Sequence, residues 1–287
     1  MQQWQFGSVR ITSILEMTIS GNNEFVLPDA SNEACLEIDW LRPHFMDEEG
    51  FLIFCTQAFV VDTGDRRILV DTCIGNDKDL TIPGWEHLQT RFLDNLAAAG
   101  YPPETIDTVL CTHMHVDHVG WNTVLVDGSW VPTFKNARYL VSDEEWNHWL
   151  QDEEEQDHEK IAEQSIKPVV DAGLMEQVPM TYQVSPEVCL KPTPGHTPGH
   201  VCVHIKAAGE EAIITGDCIH HPAQLARVHW CSLADNDPTH ARKTRETLLA
   251  ENADKDVLLI GTHFPAPAGG LVKSEKDRKG YRLEPRD

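Results

Sequence analysis

The chain reads as an α/β protein with layered, mixed β-sheets, and three observations predict this. Short β-branched runs recur along the sequence, each bounded by turn residues. Some follow one another across a tight turn, as the strands of a hairpin do. Others alternate with segments whose apolar residues fall at helical spacing. Both kinds of connection in one chain suit sheets with parallel and antiparallel neighbours and helices laid against them.

In chain order the strand-like runs are 9–15, 58–62, 67–71, 108–112, 137–141, 201–205, 212–215 and 257–260. Thr63-Gly64-Asp65 between the second and third has the composition of a hairpin turn. A helix is expected over 85–99, where apolar residues keep helical spacing up to Gly100 and Pro102-Pro103 follows. Ser142 before Asp143-Glu144-Glu145 is an N-cap signal for a helix through Leu150. Two further helices are expected over 160–172 and 239–250. The stretch 21–51 has no clear period, though it carries Phe25, Leu27, Trp40, Leu41 and Phe45. A loop of this length in a compact domain is usually functional. The acidic run 152–155 suits a solvated face or loop.

A chain of 287 residues is one large domain or two small ones. With no internal repeat and no Ser/Gly-rich linker, residues 1–287 are read as a single domain. Residues 21–51 are its inserted loop segment, beside an active site or at the contact of a homodimer.

The net charge is −23, from 23 basic and 46 acidic residues. That balance argues against nucleic acid or an anionic membrane as a partner, since both demand a basic face. No apolar run approaches the ~20 residues of a membrane span. The first residues, Met1-Gln2-Gln3-Trp4-Gln5, lack the basic and apolar regions of a secretory signal. The eight cysteines are scattered without a Cys-x-x-Cys pair, which fits buried free thiols in a cytoplasmic protein.

The chemistry concentrates at His113-Met114-His115-Val116-Asp117-His118, directly after an apolar run. Three imidazoles and a carboxylate converging on one loop desolvate and repel one another unless a cation holds them. Imidazole and carboxylate without thiolate suit zinc, manganese or iron. Three later positions share the placement at a strand end or in a Gly-bearing turn. They are Thr193-Pro194-Gly195-His196-Thr197-Pro198-Gly199-His200, Thr215-Gly216-Asp217 and Gly261-Thr262-His263. Strand ends feed loops at one sheet edge, where residues distant in sequence meet.

In this order, preceded by Leu69-Val70-Asp71-Thr72, the motifs resemble the metallo-β-lactamase superfamily over about residues 57–263. The resemblance implies an αβ/βα four-layer sandwich, two mixed β-sheets flanked by helices, with the active site along one edge of the facing sheets. It implies two divalent metal ions, zinc foremost, with iron, manganese or cobalt as alternatives. One ion would be held by His113, His115 and His196, the other by Asp117, His118 and His263, with Asp217 bridging. Asp71 would orient a ligand imidazole; its alternative reading is a strand-end carboxylate that caps a turn. His200, four residues after His196, is read as the start of the next strand and not as a ligand.

His118-Val119-Gly120-Trp121-Asn122, the segment His263-Phe264-Pro265-Ala266-Pro267 and Gly280-Tyr281-Arg282 resemble the lactonase and methyl-parathion-hydrolase-like branch. Acyl-homoserine lactonases carry a substrate-contacting tyrosine three residues after the bridging aspartate, where this chain has His220. Whether His220 or His221 faces the site is open, as is a purely structural role for both.

With that resemblance, the expected reaction is attack by a metal-bridging hydroxide on a lactone, ester or organophosphate polarised by one metal, with His220 assisting and Asp117 carrying the proton. The partner is then a small molecule. Alternatives are a β-lactamase or a glyoxalase II-like thioesterase. A nuclease lacks its basic groove here, and a non-catalytic binding protein would be expected to have lost ligands.

Overall fold

The computed structural model describes residues 1–151, 156–275 and 280–286, so the acidic run 152–155 lies outside the described residues. The chain divides into two compact units: Gln3–Met17 with Thr56–Tyr182, and Thr18–Cys55 with Gln183–Asp287.

The strands wholly or mainly in the first unit are, in chain order, β1 (Gln3–Phe6), β2 (Val9–Ser20), β3 (Ile53–Asp62), β4 (Arg67–Val70), β5 (Thr108–Leu110), β6 (Thr123–Val126), β7 (Ser129–Pro132), β8 (Arg138–Ser142) and β9 (Met175–Val178). Seven of them form one sheet in the order β1-β2-β3-β4-β5-β8-β9, while β6 and β7 make a separate hairpin. The sheet is mixed, because β3 and β4 are antiparallel and β4, β5, β8 and β9 run parallel. The turn expected at Thr63-Gly64-Asp65 joins β3 to β4, closed by Thr63 N–H on the Arg66 carbonyl at 2.9 Å. Buried aliphatics of β3, β4, β5 and β8 pack with Phe92, Leu96, Trp121 and Val169 in one core.

The helix Asp143–Trp149 starts where Ser142 accepts the Glu145 N–H at 3.0 Å. His158–Ile161 continues through a π-helical turn, Ala162–Ile166, into Lys167–Asp171.

The expectation for 85–99 needs correction, since only Phe92–Ala98 is α-helical. The N–H of His87, at φ 49°, goes to the Lys78 carbonyl at 2.8 Å. That of Thr90 goes to Asn76 Oδ1 at 2.7 Å. Donors spent on the 76–78 loop cannot build a helical ladder. In the same loop Lys78 is buried, with Nζ donating to Thr123 Oγ1 at 2.7 Å and the Gln164 carbonyl at 2.9 Å. Burial pulls its pKa down to about 6.

The second unit carries β10 (Val188–Pro192), β11 (Val201–Ala207), β12 (Glu210–Ile214), β13 (Val257–Ile260), β14 (Gly269–Ser274) and β15 (Tyr281–Pro285), paired in that order. This sheet is also mixed, with β12 and β13 parallel and the other pairs antiparallel. Its long helix, Pro238–Asn252, is capped by Asp237, which accepts the His240 N–H at 3.0 Å, with Pro238 at the first position. The segment 21–51 contains two short helices, Asn23–Val26 and Asn32–Leu36. It buries Leu27, Cys35, Ile38, Leu41 and Phe45 while leaving Phe25 exposed. Among the described residues no helix is long and apolar enough to cross a membrane.

Candidate functional site

In the first unit the ends of β4 and β5 supply the chemistry. Asp71 follows β4 with φ 58°, a conformation that costs energy for a side chain other than glycine. Its Oδ1 accepts the Thr112 N–H at 2.8 Å, and Oδ2 accepts the Thr112 hydroxyl and His118 Nδ1, each at 2.9 Å. Because the Thr112 hydroxyl proton goes to Asp71, its lone pairs are left for His113 Nδ1–H, 3.1 Å away. His113 and His118 are therefore oriented through Nδ1, which makes Nε2 the atom a cation would take.

The rings converge, with centroids 4.6 Å apart for His113 and His115 and 4.0 Å for His113 and His118. His113 Nε2 approaches His115 Nδ1 to 3.1 Å, and His118 Nε2 lies 3.6 Å from Asp117 Oδ1. Glu145 steadies this loop by accepting the Met114 N–H at 2.9 Å. The loop also presses on residues 73–74. A Cβ on Gly120 would lie 1.7 Å from the Ile74 carbonyl oxygen, so only glycine fits.

In the second unit the same logic recurs. His196 sits between β10 and β11, Asp217 after β12 and His263 after β13. His196 Nδ1 donates to Asp235 Oδ1 at 2.9 Å, and His263 Nδ1 donates to the Cys55 carbonyl at 2.8 Å. The Nε2 atoms of both then face Asp217, at 3.5 Å and 3.1 Å respectively. Burial acts to raise the Asp235 pKa. The hydrogen bond from His196 and the charges of His220, His196 and Arg245 outweigh it and leave the carboxyl below the usual range. Gly195, at φ 134°, lets the His196 loop meet the long helix, where a Cβ would come within 2.2 Å of the Ala241 nitrogen.

Counting ring nitrogens separates the remaining histidines. His200 places Nδ1 at 2.8 Å from Thr193 Oγ1 and accepts the Asp217 N–H on Nε2 at 2.9 Å, so neither nitrogen is left for a ligand. His221 donates Nε2–H to the Phe45 carbonyl and accepts the Ala223 N–H on Nδ1, both at 3.0 Å. It is a structural residue, and burial pulls its pKa down to about 3.

His220 differs. Both its ring nitrogens are buried without a hydrogen-bond partner among the described residues. Its Nε2 lies 3.3 Å from Asp217 Oδ2, short of hydrogen-bond geometry. Burial lowers its pKa, partly offset by the Asp217 charge. His196, Asp217 and His220 offer donor atoms all within 4.8 Å of one another. The Asp217 carboxylate beside the His196 and His263 Nε2 atoms is donor chemistry that suits a divalent cation such as zinc.

Asp235, Glu145 and the Cys55 carbonyl were not legible in the sequence, because they lie outside the motifs and act through tertiary contacts. Trp121 is a core residue, stacked on Phe92 with centroids 5.6 Å apart and donating Nε1–H to Glu16 at 2.6 Å.

Residues 56–263 match the family model of the metallo-beta-lactamase superfamily. A hydrolase crystal structure named AbOPH, in the beta lactamase superfamily, is 30% identical, with a TM-score of 0.83 over 99% of this chain and 97% of that one. AidC, a dizinc quorum-quenching lactonase, shares the fold at 20% identity with a TM-score of 0.79, over 100% of this chain and 97% of AidC. An N-acyl homoserine lactonase of a Bacillus species is 30% identical over 156 residues, 50% of this chain and 55% of the lactonase. The chain thus spans about half the length of that relative. A probable metallo-hydrolase of Mycobacterium tuberculosis is 25% identical over 84% of both chains. The α/β fold, with its mixed sheets flanked by helices, is the metallo-beta-lactamase fold, and the chain belongs to the metallo-beta-lactamase superfamily.

Proposed function

We propose that this protein is a dinuclear metal-dependent hydrolase that cleaves a lactone or ester bond, with phosphotriesters as a side activity. The observation that carries the reading is the state of four imidazoles. His113, His118, His196 and His263 each direct Nδ1 to an oxygen acceptor, which makes Nε2 the atom offered to a cation. In this reading His113, His115 and His196 would hold one zinc ion and Asp117, His118 and His263 the other, and Asp217 would serve both. A bound pair of ions supplies a water acidified towards neutral pH and a field that polarises the bond to be broken.

The residues of the chain do the rest. Asp71 holds His118 in direction through its Nδ1, and Thr112 does the same for His113. His220 donates a ring N–H to the substrate carbonyl oxygen, where charge builds as the carbonyl is attacked. Asp117 accepts a proton on its carboxylate and returns it to the leaving alkoxide. The lactone class is supported by the lactonases among the relatives, and a metal-dependent hydrolysis by the metallo-hydrolase matched over most of its length.

The test is a hydrolysis panel with zinc-loaded protein: lactones, aryl esters, a phosphotriester, a thioester and a cephalosporin. The expected result is the highest kcat/KM on a lactone or ester, abolished by a chelator and restored by zinc. Faster turnover of the thioester or the cephalosporin, or hydrolysis untouched by chelation, would contradict it.

A further inference from the structure

We propose that Asp235 is a positioning residue for His196 and sets how tightly a divalent cation is retained there. The inference rests on the dinuclear reading above, but its readout does not depend on turnover. His196 Nδ1 and Asp235 Oδ1 are 2.9 Å apart, with both side chains 1% exposed. Asp235 Oδ2 accepts the Ser232 N–H at 2.9 Å, so both carboxylate oxygens are engaged. The next two residues grip the ligand loop from its backbone. Asn236 N–H donates to the His196 carbonyl at 2.8 Å and Asp237 N–H to the Gly195 carbonyl at 2.9 Å. Residues 232–237 therefore fix both the main chain and the ring of His196.

Asp235 Oδ1 sits on the Nδ1 side of His196 as its acceptor. An imidazole so held keeps one tautomer and one ring direction, and its Nε2 becomes the more basic donor.

A plain loop tie would show the same hydrogen bonds, so the test reads metal binding and ring state. Zinc affinity is measured on the full chain by competition with a chromophoric chelator, for wild type, Asp235→Asn and Asp235→Ala. Asp235→Ala is expected to weaken zinc ~10–100-fold. Asp235→Asn, which keeps an acceptor without the charge, should fall between it and wild type. In metal-free protein, the imidazole nitrogen-15 resonances of His196 should leave the pattern of an unprotonated Nε2 when Asp235 is replaced.

Zinc affinity within twofold of wild type in folded Asp235→Asn and Asp235→Ala, with unchanged nitrogen resonances, would overturn the proposal. If Asp235→Ala does not fold, Asp235→Asn decides by the same titration. Were the wild type to bind zinc but hydrolyse none of the panel, the hydrolase reading would fall and these curves would still decide the role of Asp235.

Discussion

His200 gives its Nε2 lone pair to the backbone N–H of Asp217 at 2.9 Å, while its Nδ1 is anchored on Thr193 at 2.8 Å from Oγ1 and 3.1 Å from the carbonyl oxygen. Thr193 N–H in turn donates to the His200 carbonyl at 3.0 Å, which closes the loop that carries His196. One buried ring thus ties the His196 loop to the main chain at Asp217, so two candidate ligands are aligned by a residue that is itself no ligand.

Replacing His200 with phenylalanine keeps the ring volume and removes both hydrogen bonds. Zinc affinity is expected to drop ~10-fold or more, as for other residues that support a ligand. His200→Gln offers an amide oxygen near the place of Nε2 and should recover part of that loss. The check is a chelator competition on both variants, with circular dichroism to establish that they fold. Equal zinc affinity in His200→Phe and wild type would show that the tie is dispensable.

His220 is expected to act on the substrate and not on the cation. His220→Ala should lower kcat ~10²–10³-fold, the usual cost of deleting one donor to a developing oxyanion. Its zinc stoichiometry should stay that of the wild type. Steady-state kinetics beside elemental analysis separate the two effects. Loss of zinc from His220→Ala would move this residue into the ligand set.

The parts of the chain that stood out in the sequence are those in which local chemistry and the final environment agree. β13 occupies the 257–260 expected for it, since Val257-Leu258-Leu259-Ile260 is apolar throughout and the strand is buried along its length. β14 and β15 were missed, because Gly269-Gly270 and the charged Arg282 and Glu284 have little β preference of their own. They are strands through pairing, β14 on β13 and β15 on β14. The helix over Asp143–Trp149 was legible because its cap is local, whereas 85–91 lost its helix to acceptors in the 76–78 loop. In the site, the His-x-His-x-Asp-His run announced itself by composition. Asp235 did not, because Ser232-Leu233-Ala234-Asp235 carries no motif and its partner His196 lies 39 residues away. His220 and His221 are adjacent, and only their ring-nitrogen partners tell them apart.

Lys78 gives a pH signature to stability. Its pKa is about 6 in the folded protein, against ~10.4 in an unfolded chain. Below the lower value both states hold the proton, and above the upper one neither does. Between them only the unfolded chain is protonated, so stability rises with pH by up to ~1.4 kcal/mol per unit. Lys78→Met removes this contribution and should be relatively more stable near pH 6.5 than near pH 9. Urea denaturation of both proteins across that range supplies the comparison, in which their shared groups cancel. Parallel stability curves would show that Lys78 stays charged in the fold.

Zinc stoichiometry tests the central claim most directly. Metal-free protein is titrated with zinc and the bound metal is counted by elemental analysis after gel filtration, for wild type and Asp217→Ala. Two ions per chain are expected for the wild type, with Asp217→Ala losing bound zinc and hydrolysis in parallel. A wild-type chain that saturates at one ion, or an Asp217→Ala variant that hydrolyses undiminished while depleted of zinc, would contradict the account.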